Sequence, residues 1–427
     1  MNCLFTVKSD ANLLSWGLLA VACILGALCL SCASRRAGES SPAPRPGVPP
    51  GSGGSAHRVS VMDFGARGDG RTDDTAAIQA AINHIAKIGG GVVFFPFTRE
   101  GYILGSPAVE TVDGRAAKSQ IYIPKQNYPD TMFNISLEGE MPVKHFDAYI
   151  LRPGVRLNGL SKCNTRLIST WEAPEQTDPA LRPYSLLSAV EGDWHRGKLG
   201  AAMVSIKNLE FRAFMNPEKM YPTGSCVNLQ NASRCIVQDS CFALDKNVGD
   251  LELGLELQPT KSYTAGLIMP GDQSDTQMLR NVSAQGFRYG FVLGEMLVAD
   301  YLSVTNCDEA IMVHGFTELS HIQFVVSMNN RIIVSAMRQP TFGMVPPPRK
   351  FMHVSIGLIN FEHCRGEKGN PEGSKPRICN TQYGVYDPDN RIRGRLQWYC
   401  GWPPNDAFFP VEGGKNMDIS RFYTPRE

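Results

Sequence analysis

The chain has 427 residues, with 42 Lys and Arg against 41 Asp and Glu, a formal net charge of +1. That balance excludes the basic footprint a nucleic-acid partner requires. With 43% hydrophobic and 19% charged residues the composition is ordinary for a globular chain, long enough for one large elongated domain or two of usual size.

Residues 1–34 read as a leader. Lys8 precedes an apolar run over 13–30, and Ser31, Cys32, Ala33 and Ser34 follow it, the order of a secretory signal. Cys32 after Leu30-Ser31 also resembles the lipidated cysteine of a bacterial lipobox, although Cys29 stands where Leu is usual. The alternative is an uncleaved anchor, since the run approaches the roughly 18 residues a span needs. Either reading places the rest of the chain outside the cytoplasm, and the first attaches it to a membrane by lipid at Cys32. Residues 35–57 are rich in Pro, Gly and Ser, with no apolar periodicity, and read as a flexible tether. The folded domain is expected over 58–427.

The domain opens on VMDFGARGDGRTDDTAAIQAAINHIAKIGGGVVFFPF, residues 61–97. Val59, Val61 and Phe64 start a short strand, and Gly65, Gly68, Asp69 and Gly70 supply turn residues. Thr72 or Asp73 caps a helix over 75–88 whose apolar positions Ile78, Ala81, Ile82 and Ile85 recur at helical spacing. Gly89-Gly90-Gly91 stops it, and Val92-Val93-Phe94-Phe95 before Pro96 is a buried strand. The acidic pair Asp73-Asp74 invites a catalytic reading. Its place at a helix start, where carboxylates accept orphan N–H groups and oppose the dipole, favours a structural one.

In this order Asp63-Phe64-Gly65-Ala66, Gly68-Asp69-Gly70, Thr72-Asp73-Asp74-Thr75, Ala77-Ile78-Gln79 and Gly89-Gly90-Gly91 resemble the opening segment of the pectate-lyase-like right-handed parallel β-helix family. That family includes rhamnogalacturonase-type and glycosidase-like proteins and phage tail spikes. The resemblance implies a single-stranded parallel β-helix capped by an N-terminal helix, and activity on or binding to a polysaccharide.

From 98 to 200 short strand candidates at 121–124, 134–139 and 166–168 alternate with long polar loops of the kind that carry specificity. Trp171 and Trp194 lie among these loops, either stacking on sugar rings or packing a loop on its scaffold. After 201 a repeat appears. One set of segments begins at Val204, Cys235, Leu279, Tyr301, Ile322 and Val354; a second interleaves at Val227, Leu267, Phe291, Ile311 and Ile332, with later steps of 24, 20 and 21 residues. A period of roughly 20 to 25 residues holding short strands and no helix is a coil of stacked parallel β-structure. The runner-up, an antiparallel sandwich, lacks the tight Asn-Gly hairpin signals it would need.

Stacking puts equivalent positions about 4.8 Å apart, so residues at one phase form a line. Just past the second strand set stand Asp272, Glu295 and His314, candidates for divided acid and base roles. Asp300, Asp308, Glu309, Glu318 and His321 on neighbouring corners form a second tier. Arg280 and Arg288 are candidates for binding substrate or, with Lys246, for the base of a lyase. Adjacent-rung carboxyls near 5 Å or skipped-rung ones near 10 Å bracket the two glycosidase geometries.

The polygalacturonase branch of the family carries an Asn-Thr-Asp, an Asp-Asp, a Gly-His-Gly and an Arg-Ile-Lys, of which this chain holds only the fragment His314-Gly315 and the misplaced Asn380-Thr381-Gln382. Relatives that are lyases use calcium, so calcium is implied if this chain is one; no ligand cluster with calcium spacing stands out, and no cofactor is expected otherwise. Eight cysteines lie beyond the leader without CxxC spacing, so a zinc site is not expected; Cys379 and Cys400 are candidates for a disulfide and the rest for small buried hydrophobes. The expectation is an exported carbohydrate-active enzyme, hydrolase ahead of lyase, with a polysaccharide as its partner and its oligomeric state left open. The alternative is a non-catalytic glycan-binding β-helix.

Overall fold

The computed structural model describes residues 57–107, 111–112, 115–116, 119–124, 135–141, 165–171, 184–189, 201–214, 224–230, 232–245, 265–270, 276–294, 296–314, 319–328, 330–339, 341–342, 344, 351–362, 381–402 and 411–421. The leader, the tether up to residue 56 and the Cys379 partner of the candidate disulfide lie outside them.

Two large sheets dominate, one of fifteen strands and one of nine, and every ladder within them is parallel. The only antiparallel pairings among the described residues are the two-residue strands Thr111–Val112 and Arg115–Ala116 and a bridge between Thr341 and Met344. The fold is therefore the right-handed parallel β-helix with an N-terminal capping helix, and the sandwich alternative fails. Each later coil contributes one long bent strand to the first sheet and one five-residue strand to the second, as in Gln277–Gln285 followed by Tyr289–Leu293.

The bend has a local cause. Asn208, Asp239 and Asn281 occupy equivalent positions on successive rungs, and each holds a positive φ, 56°, 48° and 50°. Asn and Asp tolerate this left-handed conformation better than other non-glycine residues. The Asn281 amide donates to Asp239 Oδ1 at 2.8 Å, tying one corner to the next.

Two apolar columns fill the interior. In the first sheet Leu137, Ile206, Val237, Leu279, Ala299, Ile322, Ile356 and Leu396 stack rung upon rung. In the second, Ile121, Leu187, Val227, Leu267, Phe291, Ile311, Val334 and Val385 do the same. All of these are buried. Phe291 and Ile311 align as the repeat predicts. Ile332 does not: it pairs with Glu309, while Ile311 faces Val334, so the step is two residues longer than the apolar spacing suggests.

The opening segment differs from expectation at its first turn and at the helix start, where Asp74 rather than Thr72 or Asp73 holds the N-cap. Arg58–Ser60 is the strand, and Val61–Phe64 forms a 3-10 turn closed by a reciprocal capping box between Ser60 and Asp63. The helix runs Thr75–Lys87 and buries Ile78, Ala81, Ile82 and Ile85. Asp74 holds the N-cap position but makes no capping bond there. Its carboxylate instead accepts Arg67 N and Gly68 N at 2.7 and 3.1 Å, fixing a turn in which Gly68 and Gly70 hold φ of 63° and 68°. Asp73 takes Thr75 N and Gly105 N at 3.1 and 2.9 Å. Both acids are structural.

The helix also closes an end. Ser119–Ile123 is the terminal strand of the second sheet, and Gln79 meets its backbone like a neighbouring strand: Nε2 donates to Tyr122 O at 3.0 Å and Oε1 accepts Tyr122 N at 2.8 Å. One side-chain amide thus satisfies edge groups that would otherwise be open for pairing.

Cys226, Cys235, Cys241 and Cys307 are buried. Burial pushes the Cys241 and Cys307 thiols up to about 12, as expected of cysteines used for packing.

Truncating the middle of the second column should be costly. Phe291→Ala is expected to lose about 3–5 kcal/mol in urea unfolding of the chain. A loss below about 1 kcal/mol would mean that the column is not a continuous packed core.

Candidate active site

The predicted site residues fall into separate places. Asp272, Glu295, Glu318, Trp194 and Cys32 lie outside the described residues. His314 leaves the Glu309–Val313 strand, is almost fully buried, and stacks on Gly294, whose added Cβ would meet His314 O at 2.0 Å. Arg280, Asp300 and His321 stand exposed on the outer face of the first sheet, with Arg280 and Asp300 on adjacent rungs. Asp300 Oδ1 accepts Asn281 N at 3.0 Å and Tyr301 N at 2.6 Å, bonds that hold a corner. Trp171 is partly buried and packs edge-to-face on Tyr184 with ring centroids 5.6 Å apart.

Arg288, Asp308 and Glu309 meet at a different place, the strand starts of the second sheet. Arg288 precedes Tyr289–Leu293, Asp308 precedes Glu309–Val313, and Arg331 precedes Ile332–Ala336, so stacking brings three loop residues together. The corner beneath them is pinned by Asn330, wholly buried. Its Oδ1 accepts Cys307 N at 2.8 Å and its Nδ2 donates to Val304 O and Ser327 Oγ at 2.9 and 2.8 Å. Every polar atom of that amide is used, which fixes the backbone on which Arg331 sits.

Arg331 grips Asp308 in a two-pronged pair, Nε to Oδ1 and Nη2 to Oδ2 at 2.9 Å, with the Asp308 side chain only 3% exposed. The hydrogen bond to Asp308 raises the Arg331 pKa further, so the guanidinium stays charged. Glu309 differs. Its carboxyl accepts the Ser335 hydroxyl and is crowded by protein, yet the residue keeps part of its surface open to solvent, so it is recessed rather than sealed. Desolvation raises its pKa above the carboxylate range; the Ser335 bond and the charges of Arg331 and Arg288 only partly oppose this, and Asp308 adds to it. A strongly perturbed acid among fixed cations marks a functional-site candidate.

Two rungs further on, Tyr383 and Tyr386 present half-exposed rings 4.9 Å apart. Arg338 Nη1 donates to the Tyr386 hydroxyl at 3.0 Å, and Tyr383 bonds the Glu412 carboxylate, which raises the phenol's pKa. His314 takes no part, since Glu309 begins and His314 follows the same strand, about 16 Å apart at strand rise. Among the described residues no group of three or more His, Cys, Asp or Glu is placed to hold a metal ion.

Arg331 and the two tyrosines escape a reading of strand exits. The signal for Arg331 is the residue before each strand of the second set: Arg288, Asp308, Arg331 and Gln382 mark the same phase of the repeat.

Residues 58–99 match the family described as rhamnogalacturonase A/epimerase, pectate lyase-like. The chain folds as a parallel β-helix whose opening segment is similar to that family. Alginate lyase 7 of Azotobacter vinelandii is 45% identical over 76 residues, 18% of this β-helix chain and 8% of the relative. Mannuronan C5-epimerase AlgE3 of the same organism is 50% identical over 64 residues, 15% of this chain and 3% of the relative. The chain thus spans less than a tenth of the length of these relatives. Among solved structures, the tailspike protein of E. coli bacteriophage HK620 in complex with pentasaccharide matches 85% of this chain and 66% of its own, at 11% identity and a TM-score of 0.40. The Azotobacter vinelandii mannuronan C-5 epimerase AlgE4 A-module matches 86% and 98%, at 14% identity and a TM-score of 0.30.

The Arg331–Asp308 pair gives a stability test. Arg331→Met strands a buried carboxylate and is expected to cost about 2–4 kcal/mol, below the range for a fully buried pair because the Arg331 side chain is 36% exposed. Adding Asp308→Asn should recover most of that loss in a double-mutant cycle. Additive losses would show that the two side chains do not depend on each other.

Proposed function

We propose that the protein is an exported enzyme that cleaves an acidic polysaccharide by β-elimination at a uronate residue, with Glu309 as its acid–base group. The observation that carries this reading is the recessed, pKa-raised Glu309 carboxyl flanked by Arg288 and Arg331. Elimination at a uronate needs a cation to neutralise the C6 carboxylate, a base for the C5 proton and an acid for the departing O4. Arg331, which spends Nε and Nη2 on Asp308, and Arg288 supply guanidiniums for the first of these roles. The Glu309 carboxylate removes the C5 proton. The acid so formed hands it to O4 as the C4–O4 bond breaks and the C4=C5 double bond forms. A group whose pKa is moved toward neutrality is suited to both halves of that transfer.

Hydrolysis, ranked first by the sequence, requires two working carboxylates about 5 or 6.5–9.5 Å apart. Among the described residues Asp308 is committed to Arg331, and Glu412 stands three rungs from Glu309 and out of register with it, at least about 14 Å away at strand spacing. The similarity to an alginate lyase and to mannuronan epimerases, confined to short segments, agrees with a polyuronate as substrate. Secretion, with lipidation at Cys32, completes the proposal.

The test is turnover of polymannuronate, polyguluronate and polygalacturonate by the full chain, followed by the ultraviolet band of unsaturated uronides. One polymer should give that band, and Glu309→Gln should lower the rate about 10²–10⁴-fold, with the wild-type rate rising with pH through a midpoint above the usual carboxylate range. The sign for stability is opposite. Because the folded pKa is raised, Glu309 favours the fold when protonated, and that contribution is lost as pH climbs from the unfolded carboxyl pKa through the folded one. Glu309→Gln should therefore be no less stable than wild type at neutral pH. New reducing ends without the ultraviolet band would reinstate hydrolysis, and glycan binding without either product would make the protein a binding module.

A further inference from the structure

The outer face of the second sheet is covered by a strap on one side of Glu309, and on the other it carries two partly exposed tyrosines two rungs away. Tyr289 is the register partner of Glu309 on the preceding rung, and it is 3% exposed. Val292 beside it and Ala265 and Ile268 one rung earlier are wholly buried. They are covered by a strap from the chain beyond Ile332–Ala336, in which Met337, Phe342 and Met344 pack into the same apolar cluster. The Phe342 ring meets Tyr289 edge-to-face with centroids 5.6 Å apart. Phe342 holds a φ of 57°, rare for an aromatic residue, and the Thr341–Met344 bridge closes the turn around it. On the other side the intervening rung, Ile332 and Ser335, is buried, and Tyr383 and Tyr386 two rungs away are half exposed.

We propose that the Phe342–Tyr289 contact is the end wall of the substrate site, so that the glycan is taken by a chain end and extends only over Tyr383 and Tyr386. The inference rests on the Glu309 assignment. Rungs are spaced about 4.8 Å, close to the length of one sugar residue. A chain lying along the helix axis with its end against Tyr289 therefore puts a terminal linkage near Glu309 and its second or third residue on the tyrosine pair. Aromatic faces suit the C–H faces of a sugar, and Arg338, anchored on Tyr386 and Asp389, offers a cation to a uronate there. An enzyme walled in this way releases short products from one end.

The experiment follows products from whichever polyuronate is turned over, using the full chain. Monomers and dimers are expected from the earliest times, with viscosity falling slowly. Phe342→Gly, which removes the ring but suits the positive φ and so spares the backbone, should shift early products to oligomers of mixed length, with the melting temperature recorded beside it. Mixed oligomers and a rapid viscosity drop from the wild type would overturn the end wall while leaving the elimination intact.

A binding arm needs no turnover: mannuronate decamers coupled to streptavidin through one terminus or the other, titrated into the Glu309→Gln chain. One attachment should weaken binding at least tenfold relative to the other. Equal binding by both would overturn the wall, and no binding with no turnover would overturn the site and the wall together.

Discussion

The whole molecule depends on the parallel hydrogen-bonded stacking of one coil on the next. A single coil buries almost nothing, because its apolar side chains face a lumen that only its neighbours fill. The backbone ladders set the spacing between rungs, and the interior columns then follow with no further choice. Phe291 lies on Leu267 and beneath Ile311 because the ladder puts it there. A change of length within a coil is absorbed at the corners, while the strands keep register. The cost falls at the two ends of the stack, where backbone groups would be left open. At the N-terminal end the protein spends a helix and the Gln79 amide on that problem.

The same constraint makes a site out of residues remote in sequence. Arg288, Asp308 and Arg331 occupy three successive turns of the spiral at one phase, the last step before a strand of the second sheet, and Glu309 opens the middle strand. A corner is the natural place for such a group, since the backbone is already held by side-chain bonds. Asn330 uses its entire amide on three partners, so the neighbouring Arg331 is aimed rather than free to sample. Fixed cations beside a recessed carboxyl produce two opposed pulls on Glu309. Desolvation favours the neutral acid and the guanidiniums favour the anion, and desolvation is the larger. The site is therefore poised by what surrounds it more than by any one contact.

The scaffold was largely legible in the sequence. Helical spacing of Ile78, Ile82 and Ile85, the glycine stop and the alternation near Val204 and Phe291 all report local preferences that agree with the fold. Two things were not. Val61 and Phe64 looked like strand because they are apolar, but the Ser60–Asp63 capping box turns the chain at that point. The Ile332 register failed for a related reason: Ile332, Ile333 and Val334 are all apolar, and only pairing with Glu309 tells which of them faces the lumen. Site residues were harder still. Reading strand exits singles out Asp272, Glu295 and His314 and leaves Asp308 and Glu309 to a second tier on neighbouring corners, whereas the perturbed acid sits at a strand start. Burial of Glu309 is a property of three coils together and leaves no trace in any one segment.

That separation between scaffold and site has a physical origin. The lumen tolerates any apolar residue of suitable volume, so its pattern survives as simple alternation. The outer face of the second sheet carries no such rule. Val292 and Met312 there are as apolar as lumen residues, and the reason is the strap of Met337, Phe342 and Met344 lying over them. Nothing in the alternation distinguishes an outer residue covered by a strap from an inner one covered by the next wall. Where the strap stops, polar and aromatic side chains take over, and Glu309 stands at that boundary. A carboxyl at the edge of an apolar cover is desolvated on one side and reachable from the other, and those are the two conditions an acid–base group needs.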